Sequence, residues 1–281
     1  LKPFAYHRPA SVEEAAEVLS QNGENRILAG GMTLLPSLKH RLAAPPALVD
    51  LAGIGPLRGI SKSPEGILIG AMTTHSTVAS APLVREVLPS LGELAGGIGD
   101  PQVRHRGTLG GSVANNDPAA DYPAACLGLG ATIVTSRRRL AADAFFNGFF
   151  STALAPAEVL TSILFPVPKR AAYVKFANPA SRYSMVGVFV AQFERHVRVA
   201  VTGAGRDGVF RIRVFEQALE AEFSPQILPA HSIPLDYLNS DMHASAAYRS
   251  HLINVLAKRA VGACLGVHAK APMRHGGAVA Y

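Results

Sequence analysis

Cysteine is scarce: Cys126 and Cys264 are the only two among 281 residues, far apart and in apolar surroundings. No Cys-x-x-Cys pair and no Cys/His cluster occurs, which argues against an iron–sulfur cluster or a zinc site built by this chain alone. Both thiols read as buried and reduced. Tryptophan is absent, only 17% of residues are charged, and the net charge is +7. The basic residues are scattered, apart from Arg137-Arg138-Arg139, Arg104-His105-Arg106 and Lys39-His40-Arg41. No nucleic-acid motif accompanies them, so the balance points to an anionic cofactor or an acidic partner subunit. No apolar run reaches the ~18 residues of a membrane span. The longest, Pro123 to Val134, is broken by Gly128 and Gly130 and reads as core. The start, Leu1-Lys2-Pro3-Phe4-Ala5-Tyr6, lacks the apolar centre of a signal peptide, and a cytoplasmic protein is the expectation. A nucleophile–base–orienter set, a paired-carboxylate site and a metal cluster are missing too, so no catalytic side chain and no metal ligand is assigned here.

What is present is glycine in two well-placed pairs. Arg106 to Asp121 carries Thr108-Leu109-Gly110-Gly111-Ser112, then Asp117-Pro118-Ala119-Ala120-Asp121. Without a Cβ, Gly110 and Gly111 allow a ligand to lie against the backbone, and the flanking hydroxyls add donors. Consecutive N–H dipoles of this kind form an anion cradle. Asp121 offers a carboxylate to a sugar or ribityl hydroxyl. The second pair lies in Arg26 to Arg41, where Ile27-Leu28-Ala29 reads as a strand end and Gly30-Gly31 turns the chain. Thr33 is expected to cap a helix with Leu35, Leu38 and Leu42 on one stripe, and Pro36 falls in its first turn. The free N–H groups of that helix start would face the same ligand. Two such pairs are expected to grip one pyrophosphate from two sides.

The combination of Ala29-Gly30-Gly31-Met32-Thr33, Thr108-Leu109-Gly110-Gly111-Ser112 and Asp117-Pro118-Ala119-Ala120-Asp121 resembles the FAD-binding medium subunits of molybdenum hydroxylases of the carbon monoxide dehydrogenase and xanthine dehydrogenase type. The resemblance runs over essentially the whole chain. Met32 departs from it, standing where relatives often carry Gln or His. The resemblance implies an α+β fold: an FAD-binding domain of the vanillyl-alcohol-oxidase (PCMH) type in two α/β subdomains, followed by a small antiparallel sheet with helices. It implies that FAD is the cofactor and that Leu28, Ala29, Gly30, Gly31, Met32, Thr33, Leu34, Thr108, Leu109, Gly110, Gly111 and Ser112 surround it. Gly99 and Leu160 would pack its walls, Asp121 would take a hydroxyl, and Lys175 and Tyr183 would stand at the isoalloxazine side. It further implies electron transfer: a molybdenum-binding large subunit oxidises the substrate, and an iron–sulfur small subunit with [2Fe-2S] clusters passes electrons to this subunit. From here they go to an external acceptor, within a dimer of heterotrimers. The low cysteine count agrees, since the clusters must sit on another chain. A self-sufficient flavin oxidoreductase on the same fold is the alternative, and a flavin-free scaffold a third reading.

The rest of the chain divides into residues 1–57, 58–168 and 169–281. Ser11-Val12-Glu13-Glu14 is a capping box opening a helix that ends near Asn22-Gly23. With strands at Ile27 and at Ala47 to Leu51, residues 1–57 read as a small α/β unit. Strands at Leu57–Ser61 and Gly66–Ala71 open the second unit, followed by helices to Ala95. His75 reads as a cap or a hydrogen-bond donor at a helix start. Gly96 to Pro101 is a loop, and strands follow at Ala131–Ser136 and before Pro166. In the last third, Met185–Phe193 and Val197–Thr202 read as a β-hairpin with Val197, Val199 and Val201 on one face. Gly203-Ala204-Gly205-Arg206-Asp207-Gly208 matches a dinucleotide fingerprint, but Val209 to Val214 alternates as a strand where a helix should open. It is therefore expected to be a hairpin turn. Asp241 to Leu265 is expected to be one amphipathic helix, and the tail from about Val267 to be mobile.

Overall fold

The computed structural model describes residues 1–229 and 233–266; the expectation about the tail from Val267 lies outside the described residues. The chain opens with β1 (Ala5–His7), α1 (Val12–Gln21), β2 (Arg26–Leu28), α2 (Leu34–Lys39) and β3 (Ala47–Asp50). The three strands form a parallel sheet in the order β1-β3-β2. Ser11 caps α1 as its residue type requires: its Oγ accepts from Glu14 N at 3.1 Å, while the Glu14 carboxylate reaches back to Ala10 N at 2.8 Å. Ala15 and Leu19 are the buried face of α1.

The second sheet is five-stranded and antiparallel, in the order β4-β5-β10-β6-β7. Its strands are β4 (Ile60–Ser63), β5 (Gly66–Gly70), β6 (Thr132–Thr135), β7 (Arg139–Ala141) and β10 (Leu160–Phe165), while β8 (Phe146–Gly148) and β9 (Ser151–Thr152) make a separate small hairpin. Between β5 and β6 come six helices: α3 (His75–Ser80), α4 (Pro82–Val87), α5 (Pro89–Gly96), α6 (Pro101–Arg106), α7 (Leu109–Asn115) and α8 (Tyr122–Leu129). Proline stands in the first turn of α4, α5, α6 and α8, where a missing N–H leaves no bond unmade. Every residue of α8 is buried, because it lies between this sheet and the next.

The last sheet is β11 (Arg170–Ala177), β12 (Ser184–Gln192), β13 (Val197–Thr202) and β14 (Phe210–Arg211), all antiparallel. Alternation splits its side chains between two cores. Phe189, Ala191 and Ala200 join Leu91, Cys126 and Phe165 of the middle unit. Val186, Val188, Val199 and Val201 instead pack with Phe215 and Leu219 of α9 (Arg213–Ala221) and Ile253 and Leu256 of α10 (Ala246–Cys264).

Three expectations change in detail. The helix α2 ends at Lys39, so Leu42 lies beyond it and is 81% exposed; only Leu38 of the supposed stripe is buried. The segment after the Gly203–Gly208 turn is a strand for only two residues, and α9 opens at Arg213. The antiparallel pairing of β13 with β14 still makes the turn a hairpin connection and not a dinucleotide fold. The final helix begins at Ala246, capped by Ser245, because Asp241 folds its own turn by accepting from His243 N and Ala244 N.

Candidate functional site

A cleft of about 630 Å³ runs between the parallel sheet and the helices of the second unit. Its walls bring together Ala29, Gly30, Gly31, Met32, Thr33 and Leu34 from one side. From the other come Gly99, Thr108, Gly110, Gly111, Ser112, Asp121, Leu160 and Tyr183. Leu28, Leu109 and Lys175 are not on the wall: Leu109 is fully buried behind it, and Lys175 is turned into an ion pair.

The two glycine pairs meet. A Cβ on Gly30 would fall 2.3 Å from Arg106 O and 2.8 Å from the Gly107 Cα. A Cβ on Gly111 would lie 3.3 Å from that of Ala29. Their backbones nevertheless do different things. Gly31 has φ +77°, and the N–H groups from Gly30 through Leu34 have no acceptor among the described residues. These five consecutive donors stand at a left-handed turn that leads into α2, an arrangement that could receive an anion. Thr33 does not cap α2: its φ and ψ are helical and its side chain makes no cap hydrogen bond.

At the second pair the donors are used. Leu109 N donates to Thr73 O (3.0 Å), Gly110 N to Ala71 O (2.8 Å), Gly111 N to Thr108 Oγ1 (3.1 Å) and Ser112 N to Thr108 O (3.1 Å). Thr108 is the N-cap of α7, so this stretch is a helix start already satisfied by its own cap and by the segment that follows β5. The expectation of free N–H groups at Gly110 and Gly111 is therefore corrected. What this wall offers is the Ser112 hydroxyl, the Thr108 hydroxyl proton and an approach unobstructed by side chains.

Asp121 is also more occupied than its position suggests. Only 4% exposed, it accepts at Oδ1 from Tyr173 Oη (2.5 Å), Ser184 Oγ (2.8 Å) and Lys175 Nζ (3.0 Å), and at Oδ2 from Lys175 again (3.1 Å). It ties α8 to β11 and β12. Lys175 spends its remaining reach on Arg182 O at 3.1 Å. Burial pushes the Tyr173 phenol well up, and the Asp121 carboxylate adds to that.

Several wall residues were not assigned to the cofactor site from the sequence. Asp117 lines the cleft with one carboxylate oxygen accepting from Ala119 N (2.9 Å) and no cationic partner among the described residues, and burial raises its pKa. The Asp-Pro-Ala-Ala-Asp repetition of acidic residues was the available signal. His75 is 5% exposed, its Nδ1 has no partner among the described residues, and Thr74, not His75, caps α3. Burial, with Arg104 nearby, lowers its pKa to about 4, so it is neutral. Glu158 braces the far wall: Arg138 bonds both its oxygens (3.0 and 2.9 Å), and Thr135 and Ala155 N add two more donors. Its pKa falls to about 2, chiefly through Arg138. The cations Arg26 and Arg182 border the cleft, in keeping with an anionic occupant.

A cleft with an anion nest between a small parallel sheet and a helix-covered antiparallel one defines a dinucleotide-cofactor domain without the Rossmann arrangement. Residues 2–168 match the family model described as FAD binding domain in molybdopterin dehydrogenase. The chain is similar to the nicotine 6-hydroxylase medium subunit of Paenarthrobacter nicotinovorans, 35% identical over 277 residues that make up 93% of this chain and 97% of the relative. It is also similar to the carbon monoxide dehydrogenase medium chain of Hydrogenophaga pseudoflava, at 34% identity over 92% of this chain and 96% of the relative. Among solved structures, carbon monoxide dehydrogenase from Hydrogenophaga pseudoflava superposes with a TM-score of 0.85 at 34% identity, covering 96% of this chain and all of that one. Quinoline 2-oxidoreductase from Pseudomonas putida 86 gives 0.83 at 29%, covering 94% of this chain and 98% of that one. The chain belongs to the family of FAD-binding medium subunits of molybdenum hydroxylases, as the glycine motifs implied, and is an oxidoreductase subunit. No described helix is long and apolar enough to cross a membrane, and no described group of His, Cys, Asp and Glu could hold a metal ion.

Proposed function

We propose that the cleft holds FAD with its pyrophosphate on the N–H groups of Gly30 through Leu34. The observation that carries this is the run of five donors with no acceptor among the described residues, at a helix start on the cleft wall where an anion can take them. Ser112 and Thr108 close on the same phosphates from the facing wall, and Arg26 and Arg182 add positive potential. Tyr183, the one phenol on the wall, marks the isoalloxazine end, and Gly99 and Leu160 pack its flanks. Asp121 keeps one lone-pair side of Oδ2 for a ribityl hydroxyl while Lys175 and Tyr173 hold it in place. Leu28 and Leu109 support the two loops from behind.

When bound, FAD accepts electrons arriving from the [2Fe-2S] clusters of an iron–sulfur small subunit and releases them to an external acceptor, while substrate oxidation takes place at molybdenum in a large subunit. This chain's residues bind, orient and shield; none of them is a catalytic acid, base or nucleophile. The assembly is a dimer of heterotrimers in the cytoplasm, and the chain is organised as units 1–57, 58–168 and 169–281. The test is the visible spectrum of the purified chain with chromatography of what acid releases. An oxidised-flavin spectrum and released FAD are expected. A colourless chain that takes up no added FAD overturns the reading.

A further inference from the structure

His75 stands on the wall of the cleft as a nearly buried imidazole. Its Nδ1 is enclosed, with no partner among the described residues. The ring packs on that of Tyr122, the first residue of α8, with centroids 5.3 Å apart and planes tilted by 48°. Tyr122 is itself fully buried, and its hydroxyl is likewise enclosed without a partner among the described residues. Two rings in contact thus each carry a buried polar atom that no described side chain or backbone group meets. Buried hydroxyls and ring nitrogens are rarely left unbonded, and an internal water commonly serves two of them at once.

The other edge of the imidazole faces Gly107. A Cβ there would fall 2.6 Å from Nε2 and 2.8 Å from Cδ2, so the ring comes this close only because residue 107 is glycine. Gly107 is also the residue on which Gly30 packs: a Cβ on Gly30 would fall 2.8 Å from the Gly107 Cα. The Nε2 edge therefore lies one residue behind the start of the Gly30 to Leu34 run of donors, and His75, Gly107 and Gly30 share the cleft wall. Burial first, then Arg104, keeps the ring neutral at pH 7, with a pKa of about 4. A neutral imidazole has a single N–H to give, so the nitrogen that carries the proton decides what the ring can do. Resting on the FAD reading above, we propose that His75 is a further cofactor-binding residue, donating from Nε2–H to a pyrophosphate oxygen, and that Tyr122 positions it by donating through one internal water to Nδ1. A phenol donates more readily than it accepts, and the water passes that direction on, which holds the proton on Nε2. Beside the Arg104 guanidinium, a neutral donor adds a hydrogen bond without adding repulsion between like charges.

The test uses the full chain with ¹⁵N-labelled histidine, first without FAD and then with it. At pH 7 the ring nitrogen shifts of His75, assigned by their loss in His75→Gln, should report the Nε2–H tautomer. Tyr122→Phe, which removes one oxygen and keeps the packing, should turn this into a mixture of tautomers and weaken FAD binding roughly threefold. His75→Leu should weaken FAD binding roughly tenfold, whereas His75→Gln, whose amide N–H can stand in for Nε2–H, should stay within about twofold of the wild type. An Nδ1–H tautomer in the wild type, or a tautomer that Tyr122→Phe leaves unchanged, overturns the positioning by Tyr122. Unaltered affinity in His75→Leu, or equal losses in His75→Leu and His75→Gln, overturns the donor role. If His75→Leu does not fold, the tautomer and the FAD affinity of Tyr122→Phe still decide. A wild-type chain that takes up no FAD at all sinks the cofactor reading instead, while the tautomer measured without FAD still reports on Tyr122.

Discussion

The two glycine pairs are the same dipeptide used for opposite purposes. At Gly30-Gly31 the turn, with φ +77° at Gly31, leaves the five backbone donors from Gly30 to Leu34 without an acceptor among the described residues. At Gly110-Gly111 every donor from Leu109 to Ser112 is bound within the protein. There the missing side chains serve packing: a Cβ on Gly110 would fall 2.5 Å from the Ala71 Cβ and 2.9 Å from the Ala71 backbone. One wall donates and the other is self-satisfied, serving as the rigid surface against which the first is held. A cleft made of two donating loops would have to leave both unpaired in the absence of ligand; this one leaves only one.

The comparison breaks most visibly at Asp121, on the self-satisfied side. If that wall is structural, Asp121→Ala strands the largely buried Lys175 ammonium together with two hydroxyls, and should cost about 3–5 kcal/mol of stability. Urea denaturation of the FAD-free chain measures it. A variant that keeps wild-type stability and loses only flavin affinity would falsify the structural role. Adding Lys175→Met to Asp121→Ala should recover part of the loss, because the uncompensated charge goes with it.

Gly110→Ala comes next. Its Cβ meets backbone atoms of Ala71, which cannot move aside as a flexible side-chain end can, so about 1–3 kcal/mol of stability should go. Once refolded, flavin affinity should stay within a few-fold of wild type, since no donor is lost. Gly31→Ala sharpens the contrast from the other wall. Its Cβ meets the movable Leu35 side chain, but φ +77° strains any L-residue by about 1–2 kcal/mol. Any relaxation of that strain turns the Gly31 to Leu34 donors away from their common target. A modest drop in Tm with flavin affinity down roughly tenfold or more is expected, since each hydrogen bond to a charged group contributes about 1.5–3 kcal/mol. Equal losses of stability and affinity in both variants would erase the distinction between the walls.

Much of this was legible in the sequence because it is local. Ser11 and Glu14 are three residues apart and cap a helix wherever they occur; the alternation of Val197, Val199 and Val201 fixes one face of a strand. The two glycine pairs, with hydroxyls beside them, located the cleft for the same reason. What the sequence hid is long-range. Asp121 finds Tyr173, Lys175 and Ser184 more than fifty residues on, and nothing near Asp121 announces that its lone pairs will be taken. The fate of the Gly110 and Gly111 donors does have a local sign: Thr108 stands three residues before Gly111, the spacing of an N-cap. The Leu35–Leu38–Leu42 pattern misled in the other direction, because helical spacing says nothing about where the helix stops.

His75 gives the smallest effect at neutral pH and tests the packed wall by itself. Its backbone N donates to Gly107 O (2.9 Å), and its Nε2 would lie 2.6 Å from a Cβ on Gly107, so the ring is part of the surface behind the second glycine pair. Burial first, then Arg104, lowers its pKa from 6.5 to about 4. The unfolded chain therefore binds a proton at higher pH than the folded one. The resulting stability is fully present above pH 6.5 and is lost as pH falls towards 4. In His75→Gln this part of the acid sensitivity should vanish: at pH 7 the urea midpoint should shift little, whereas between pH 6.5 and 4 it should fall less steeply than in the wild type. Parallel slopes in the two proteins would mean that His75 reaches solvent and takes up its proton without unfolding, and the wall would then be less closed than Gly110 and Asp121 make it.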